Sequence, residues 1–247
     1  MSGGVSGGVN DDPREPGREE RPVLFSSVRS PHCFKVSIAL HEKEIRFLRV
    51  EIDLPAKEQK TAAFLAIQPR GQVPAFRDAA GTWIDSLDIL LHLDEVRPTP
   101  RLFPGDPAVR DETLAWIERS STVQRDVSHH LYHQLLEPPE GGADPDEVAR
   151  LRTEALAELD LLERTLARSS TPGLIEASDL DGRSAADVCV YAWTSGFRRF
   201  FAADALRPFE RVRAWWAAWD QRDAVRASRG ATGVPFDAWL REQQHRT

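Results

Sequence analysis

The composition of the chain limits what the protein can be. Its 247 residues suffice for two modest domains with a sizeable core, and its formal net charge of −7 argues against nucleic acid as the main partner. No run of about 18 apolar residues occurs, so no membrane-spanning helix is predicted. The two cysteines, Cys33 and Cys189, are too few for a disulfide framework and lack the spacing of metal ligands. We therefore expect a cytoplasmic protein without a bound metal.

The first 20 residues are rich in glycine, proline and charged side chains and have no apolar centre. This composition predicts a disordered tail at residues 1–20 rather than a signal peptide. Folded structure is expected to begin near residue 21.

A strand predicted at residues 22–25 leads through Ser30-Pro31-His32-Cys33 into a helical pattern. Ser30 suits the N-cap of that helix and Pro31 suits its first position, where a missing N–H costs nothing. Unpaired N–H groups and a partial positive charge at a helix N-terminus stabilise a thiolate. The junction therefore favours a thiol site, with the thiol belonging to Cys33 or to a bound ligand, although an ordinary capped helix would show the same residues.

A strand is predicted next at residues 45–53, followed by a helix at residues 57–66. Farther on, Pro74 stands after Gln72 and Val73 at the mouth of an apolar strand. Because proline cannot donate a ladder hydrogen bond, it is expected at a strand start or bend, and it is often cis there.

A short strand at residues 82–84 leads directly into another helix N-terminus. Asp85 and Ser86 suit its cap, ahead of an apolar helical pattern at residues 87–93. The N–H groups of such a helix end are suited to an anionic group.

The second half of the chain is predicted to be helical. Apolar residues recur at helical spacing over residues 108–136 and 148–166. Ser184 and Asp187 have the pattern of a capping box before a further helix. Three tryptophans of a later helix are expected to pack in the core: Trp215, Trp216 and Trp219.

His129 and His133 lie four residues apart and therefore share one helix face. No third ligand lies at a zinc spacing, so a metal site is not predicted. The pair is expected either to line a pocket or to lie on an ordinary helix surface. Trp116 on the same long helix is expected in a pocket wall or in the core.

The order of these elements resembles the glutathione S-transferase family, in particular its serine-type and zeta-like members, in a divergent bacterial-type form. The resemblance covers roughly residues 21–230 and includes a linker motif at residues 101–104, the capping box at residues 182–187 and a late helix at residues 213–225. Each motif is weak alone, but their order and spacing are specific.

The resemblance implies a two-domain fold of the α/β plus all-α class. An N-terminal thioredoxin-like domain would occupy residues 21–98, a linker residues 99–105 and a C-terminal all-helical domain residues 106–247. It also implies a homodimer, in which the helix that begins at Asp85 and Ser86 packs against the long helix of the partner.

The resemblance further assigns residues that bind glutathione or a similar small thiol. Val73, ahead of a cis Pro74, would pair its backbone with the ligand as an added strand. Asp85 and Ser86 would bind the γ-glutamyl end, and Gln72 would contact the glycyl or main-chain part.

Ser30 and Cys33 are alternative reactive residues. In this fold the residue just before the first helix touches the ligand sulfur, and here that residue is a serine. A serine cannot form a mixed disulfide, so activation of a bound thiol by Ser30 is favoured over thiol exchange through Cys33. His32 could modulate either of these two residues, but a solvent-facing position is favoured for it.

These features predict an enzyme that joins the thiol to a hydrophobic electrophile held between the domains, with isomerisation or dehalogenation as related reactions. The reaction would serve detoxification or one biosynthetic or degradative step. The resemblance places the helix of His129 and His133 beside the thiol site, so these histidines and Trp116 are candidates for the acceptor pocket. The alternatives are a Cys33-dependent thiol–disulfide reductase and a non-catalytic binding protein with the same fold.

Overall fold

A five-stranded mixed sheet forms the centre of the first part of the chain. The computed structural model describes residues 21–177, 179–180 and 182–245, and the predicted tail at residues 1–20 lies outside them. The strands are β1 (Val23–Ser26), β2 (Leu48–Glu51), β3 (Ala75–Asp78), β4 (Gly81–Trp83) and β5 (Val234–Pro235). Strand β1 pairs in parallel with β2 and antiparallel with β3, in the spatial order β4-β3-β1-β2-β5.

Three helices accompany this sheet: α1 (Pro31–Glu42), α2 (Ala62–Leu65) and α3 (Ser86–Val96). Helices α1 and α3 pack on one another and on the sheet through a buried apolar cluster that includes Leu24, Phe76 and Leu90. Burial of this cluster is the main force that holds the helices on the sheet. The arrangement is the thioredoxin-like one, so the predicted fold class is confirmed.

The helix predicted at residues 57–66 is wrong in extent. Lys57 has a left-handed backbone with φ of 57°, and Thr61 is extended with ψ of 150°, so no continuous helix can pass through them. Only a 3₁₀ turn at Glu58–Lys60 and the single turn of α2 form. Thr61 begins α2 as its N-cap, since its side chain accepts from the Phe64 N–H at 3.4 Å.

The remaining helices are α4 (Pro107–Val123), α5 (His129–Leu135), α6 (Pro145–Arg168), α7 (Ala185–Thr194), α8 (Glu210–Asp220), α9 (Asp223–Gly230) and α10 (Phe236–Gln244). Helix α4 continues into α5 through a π-helical turn at Gln124–Ser128, and α7 is buried along its whole length. Trp215, Trp216 and Trp219 are buried, as predicted. Among the described helices, none has both the length and the apolar character needed to cross a membrane.

The C-terminal segment returns to the sheet, so the prediction that residues 106–247 are all helical is wrong at its end. Strand β5 pairs in parallel with β2, and α10 follows it directly. Phe236 and Trp239 pack edge-on against Phe25 of β1, with ring centroids 6.3 and 4.9 Å apart. Burial of these rings against the sheet stabilises the position of the segment.

Buried Lys43 fixes the chain that connects α3 to α4. Its ammonium donates to Asp94 Oδ1 at 2.7 Å and to the carbonyl oxygens of Arg97 and Pro100 at 2.7 and 2.8 Å. Three acceptors thus compensate the burial of this charge. The connection is therefore held against the end of α1.

The predicted capping box at the start of α7 is formed in a buried position. The Asp187 N–H donates to Ser184 Oγ at 3.0 Å, and the Ser184 hydroxyl donates to Asp187 Oδ2 at 2.5 Å. Asp187 Oδ1 also accepts from the Leu174 N–H at 2.8 Å and from Trp215 Nε1 at 3.3 Å. Burial raises the pKa of Asp187 to about 6 against the opposing effect of these donors.

Candidate active site

A cavity of about 1270 Å³ lies between the sheet-based part of the chain and helices α4 and α5. One wall comes from the β1–α1 junction, the segment before β3 and the start of α3, and the other comes from α4, the π-helical turn and α5. Cavities that hold one small ligand usually measure about 300–1,000 Å³. This cavity is therefore large enough for two small substrates side by side.

Ser30 lines the cavity at the N-terminus of α1. Its backbone is extended, with φ of −104° and ψ of 116°, and its Oγ accepts from the Cys33 N–H at 3.3 Å. Pro31 occupies the first helical position. Because a hydroxyl that accepts one bond can still donate its proton, Ser30 is able to donate to a sulfur atom in the cavity.

Cys33 is not placed for a redox role. Its side chain is buried, it is not among the described residues that line the cavity, and its Sγ accepts from the Ser27 N–H at 3.3 Å. Burial raises the pKa of the Cys33 thiol, and burial has the same effect on Cys189 in α7. Because the thiolate is the reactive form, a protonated thiol outside the cavity does not suit a nucleophile.

All of the residues expected to bind the thiol ligand line the same cavity: Gln72, Val73, Pro74, Asp85 and Ser86. The Val73–Pro74 peptide is cis, as the sequence indicated. The pairing of β1 with β3 begins with Phe25 opposite Ala75. The backbone of Val73 therefore lies just beyond the end of the ladder, on the cavity side.

The start of α3 presents both an acid and a hydroxyl. Asp85 is the N-cap, and its Oδ1 accepts from the Leu87 N–H at 2.8 Å while its Oδ2 lies 3.7 Å from Arg70 Nη2. Ser86 is buried, and its hydroxyl forms no hydrogen bond with the described part of the chain. Buried polar groups normally have a partner, so this hydroxyl is available to a ligand.

The prediction that His32 faces the solvent is wrong. Its Nε2 lies 2.9 Å from Gln124 Oε1, which belongs to the π-helical turn on the opposite wall. Burial lowers the pKa of His32 to about 4, and the charge of Lys35 acts in the same direction. The ring is therefore uncharged at neutral pH, and it links α1 to the α4–α5 wall through a hydrogen bond.

His129 and His133 lie in the α5 wall of the cavity, with ring centroids 4.4 Å apart. Tyr132 lies on the same helix, and its hydroxyl accepts from the Arg29 guanidinium and donates to Glu137 Oε1 at 3.0 Å. These contacts connect the β1–α1 junction to the end of α5. Within residues 21–177, 179–180 and 182–245, no group of three or more His, Cys, Asp or Glu side chains is arranged to hold a metal ion.

The pocket-wall alternative for Trp116 is wrong. The described cavity-lining residues of α4 include Leu114 and Ile117, whereas Trp116 is half-buried and packs against the helical core. At about 100° per residue, Trp116 lies about 200° around the helix from both Leu114 and Glu118, which line the cavity, so its side chain points away from the cavity.

Sequence reasoning missed several polar residues of the cavity: Arg29, Lys35, Gln59, Arg70 and Gln124. Helical periodicity could have indicated that Lys35 lines the cavity, because Lys35 lies three residues after His32 on α1 and shares the helix face of His32. Gln59 and Arg70 lie outside the helical patterns of the cavity walls, and no periodicity identifies them.

Known proteins resemble the chain over most of its length. The family model described as "Glutathione S-transferase, N-terminal domain" matches residues 24–101. The chain is 29% identical to glutathione S-transferase 3 from Zea mays over 216 residues. This alignment covers 86% of the chain and 95% of the maize protein. The chain is thus similar to glutathione S-transferases, in residues 24–101 by the family model and over most of its length by the maize protein. These matches confirm the predicted resemblance.

Other relatives match a smaller share of the chain. Maleylacetoacetate isomerase from Mus musculus is 40% identical over 92 residues, which is 36% of this chain and 43% of that protein. This alignment therefore spans less than half of the mouse protein.

Two solved glutathione transferases share the fold. The enzyme from Pseudomonas putida, with one glutathione disulfide bound per subunit, has a TM-score of 0.75 at 23% identity and covers 87% of this chain and 93% of its own. The theta class enzyme from Xanthomonas axonopodis pv. citri, with glutathione bound, has a TM-score of 0.74 at 20% identity. The match covers 86% of this chain and 99% of the Xanthomonas chain.

Proposed function

We propose that the protein is a glutathione transferase that activates the glutathione thiol at Ser30 and directs it towards an electrophile held in the cavity. The observation that carries this proposal is the position of Ser30 at the N-terminus of α1, facing the same cavity as Val73 and Ser86, whereas Cys33 is buried. The names of the relatives and the solved neighbours support the transferase class and glutathione as the co-substrate.

The wall beside Ser30 fits a peptide-like thiol with charged ends. The Val73 backbone extends the edge of the ladder and is suited to pairing with a peptide unit. The Ser86 hydroxyl and the N–H groups of α3 suit a carboxylate, and the Asp85 carboxylate suits an ammonium group. On the same wall, Gln59 Oε1 is buried without a hydrogen-bond partner among the described residues, so it offers a further acceptor.

Ser30 and the α1 N-terminus would favour the thiolate over the thiol. The thiol proton leaves to solvent, the sulfur forms a bond to an electrophilic carbon, and the leaving group departs with the electron pair of the broken bond. Removal of one positioned donor of this kind typically costs about 10²- to 10³-fold in rate. The cavity wall formed by α4 and α5 would hold the electrophile.

A second candidate reaction is isomerisation, which the 40% identity to the mouse maleylacetoacetate isomerase over 92 residues favours. The two reactions differ in stoichiometry, because conjugation consumes the thiol and isomerisation returns it. Titration of free thiol during turnover of a candidate substrate therefore separates them: equimolar loss supports conjugation, and constant thiol supports isomerisation.

We also propose a homodimeric, cytoplasmic protein with a linker near residues 99–105. The family supports the dimer, and two buried cysteines without a disulfide are typical of a reducing compartment. The return of the C-terminal segment to the sheet supports assigning residues 234–244 to the thioredoxin-like domain.

Calorimetric titration with glutathione tests the proposal. Loss of a hydrogen bond to a charged group costs about 1.5–3 kcal/mol, so we expect Ser86→Ala to raise the dissociation constant of glutathione roughly 10- to 100-fold. Thr122→Ala is a matched control, because Thr122 is exposed on α4 and does not line the cavity. Absence of binding to the wild-type protein at millimolar glutathione would contradict the proposal.

A further inference from the structure

Lys35 is a buried lysine that faces the cavity without a partner. It lies on α1, lines the cavity and is only 4% exposed. Within the described residues, its ammonium forms no hydrogen bond and no ion pair. Lysine is almost never fully buried unless it is paired, because an uncompensated buried charge is costly.

Lys43, at the other end of α1, is the internal comparison. It is fully buried, and three acceptors satisfy its ammonium: Asp94 and the carbonyl oxygens of Arg97 and Pro100. The chain thus supplies partners to the buried lysine that has a structural position. Lys35 lacks them and faces the cavity, so its partner is expected to come from outside the chain.

Among the described residues, no carboxylate lies within 4.0 Å of the Lys35 ammonium. His32, one turn earlier on α1, is uncharged at neutral pH, and Cys189 of α7 is a buried thiol. Two carboxylates of α4, Asp111 and Glu118, line the cavity, but neither lies within 4.0 Å of the lysine nitrogen. An anionic group in the cavity would therefore meet an unpaired positive charge.

The position of Lys35 along α1 indicates which substrate it contacts. It lies five residues after Ser30, which corresponds to about 7.5 Å along the helix axis. The groups suited to the thiol ligand come from the segment before β3 and from the start of α3. Lys35 lines the cavity together with Ile117 of α4, and its charge acts on the thiol of Cys189 in α7, so it faces the helical wall where the electrophile would be held.

We propose that Lys35 binds a carboxylate of the electrophile, so that the preferred substrate is an anionic electrophile rather than a wholly apolar one. This inference rests on the proposed transferase function. A charge-assisted hydrogen bond would fix the acid group and present the electrophilic carbon to the sulfur.

The test compares two probes that differ by one carboxylate, chlorodinitrobenzene and chlorodinitrobenzoate. In both reactions the glutathione sulfur bonds to the ring carbon, chloride leaves with the electron pair, and the thiol proton goes to solvent. We expect Lys35→Met to lower kcat/KM for the benzoate by roughly 10- to 100-fold and to change kcat/KM for the neutral probe by less than about 3-fold. Lys35→Arg is the matched control, because it keeps the charge and should retain the preference.

Equal losses on the two probes, or no preference for the benzoate in the wild type, would overturn the proposal. A weaker glutathione affinity in Lys35→Met would also overturn it, because Lys35 would then belong to the thiol site. Met has a similar length and removes an unpaired buried charge, so the variant should fold.

Failure of the proposed function gives a different result. The wild type would then bind no glutathione and convert neither probe. In that case calorimetry with chlorodinitrobenzoate alone still tests Lys35, since the wild type should bind it more tightly than Lys35→Met does, and equal affinities would overturn the assignment.

Discussion

Replacement of Asp187 by alanine should destabilise the fold far more than the loss of an ordinary helix cap. A cap residue typically contributes about 1 kcal/mol. Asp187 is fully buried, and it accepts from the Ser184 hydroxyl, the Leu174 N–H and Trp215 Nε1. Each buried donor left without a partner costs about 1–3 kcal/mol, so with partial relaxation we expect Asp187→Ala to lower the free energy of unfolding by about 3–5 kcal/mol.

Asp187→Asn is the matched variant, because it keeps the shape and one acceptor oxygen. It should lose less stability than Asp187→Ala, and it should also remove a pH dependence. The folded pKa of Asp187 is about 6, above the ordinary 3.8, so the folded state binds the proton more tightly than the unfolded state. The contribution of this group to stability is therefore lost as the pH rises from about 4 to about 6, and the asparagine variant should not show this loss.

Urea unfolding of the three proteins at several pH values measures these effects, with glutathione affinity as the functional control. We expect the dissociation constant of glutathione to stay unchanged at temperatures where the variants remain folded. A loss below about 1 kcal/mol for Asp187→Ala would refute the reasoning from buried donors. A loss of turnover at unchanged stability would instead indicate a catalytic role.

Three further expectations concern the sheet, the thiol and the assembly. Trp239→Ala should lower the free energy of unfolding by about 3–5 kcal/mol, because the buried ring of Trp239 packs on Phe25 and stacks on Phe236. Urea unfolding measures this loss, and a negligible loss would show that the packing of the C-terminal segment on the sheet is dispensable. Cys33→Ser should keep transferase activity within about 2-fold, since a buried thiol takes no part in the reaction, whereas abolished activity would favour the reductase. Sedimentation at micromolar protein should give about twice the chain mass of 27.7 kDa, and a fully active monomer would contradict the dimer.

The helix caps could be predicted from the sequence because they depend on local contacts. Ser30, Asp85 and Ser184 each accept from an N–H two or three residues ahead, so the residue types and their spacing contain the whole interaction. The cis peptide before Pro74 was indicated by the same kind of local pattern. These residues also form most of the candidate thiol site, which explains why much of that site was accessible from the sequence.

Two of the errors concern residues whose partners are distant in the chain. His32 is held by Gln124, 92 residues later, and no local pattern indicates that contact. Trp239 packs on Phe25, although its own helix has an ordinary amphipathic pattern. The periodic spacing of apolar residues shows that a helix has an apolar face, but it does not show which part of the protein covers that face.

The ionisation of glutathione bound to the protein tests the role of Ser30 most directly. The absorbance of the thiolate can be followed in the ultraviolet as the pH is raised, with wild type, Ser30→Ala and Ser30→Thr each saturated with glutathione. We expect the bound thiol to ionise at a lower pH than free glutathione in the wild type, to return towards the free value in Ser30→Ala, and to be partly rescued by the hydroxyl of threonine. An identical ionisation midpoint in the wild type and Ser30→Ala would contradict thiol activation by Ser30.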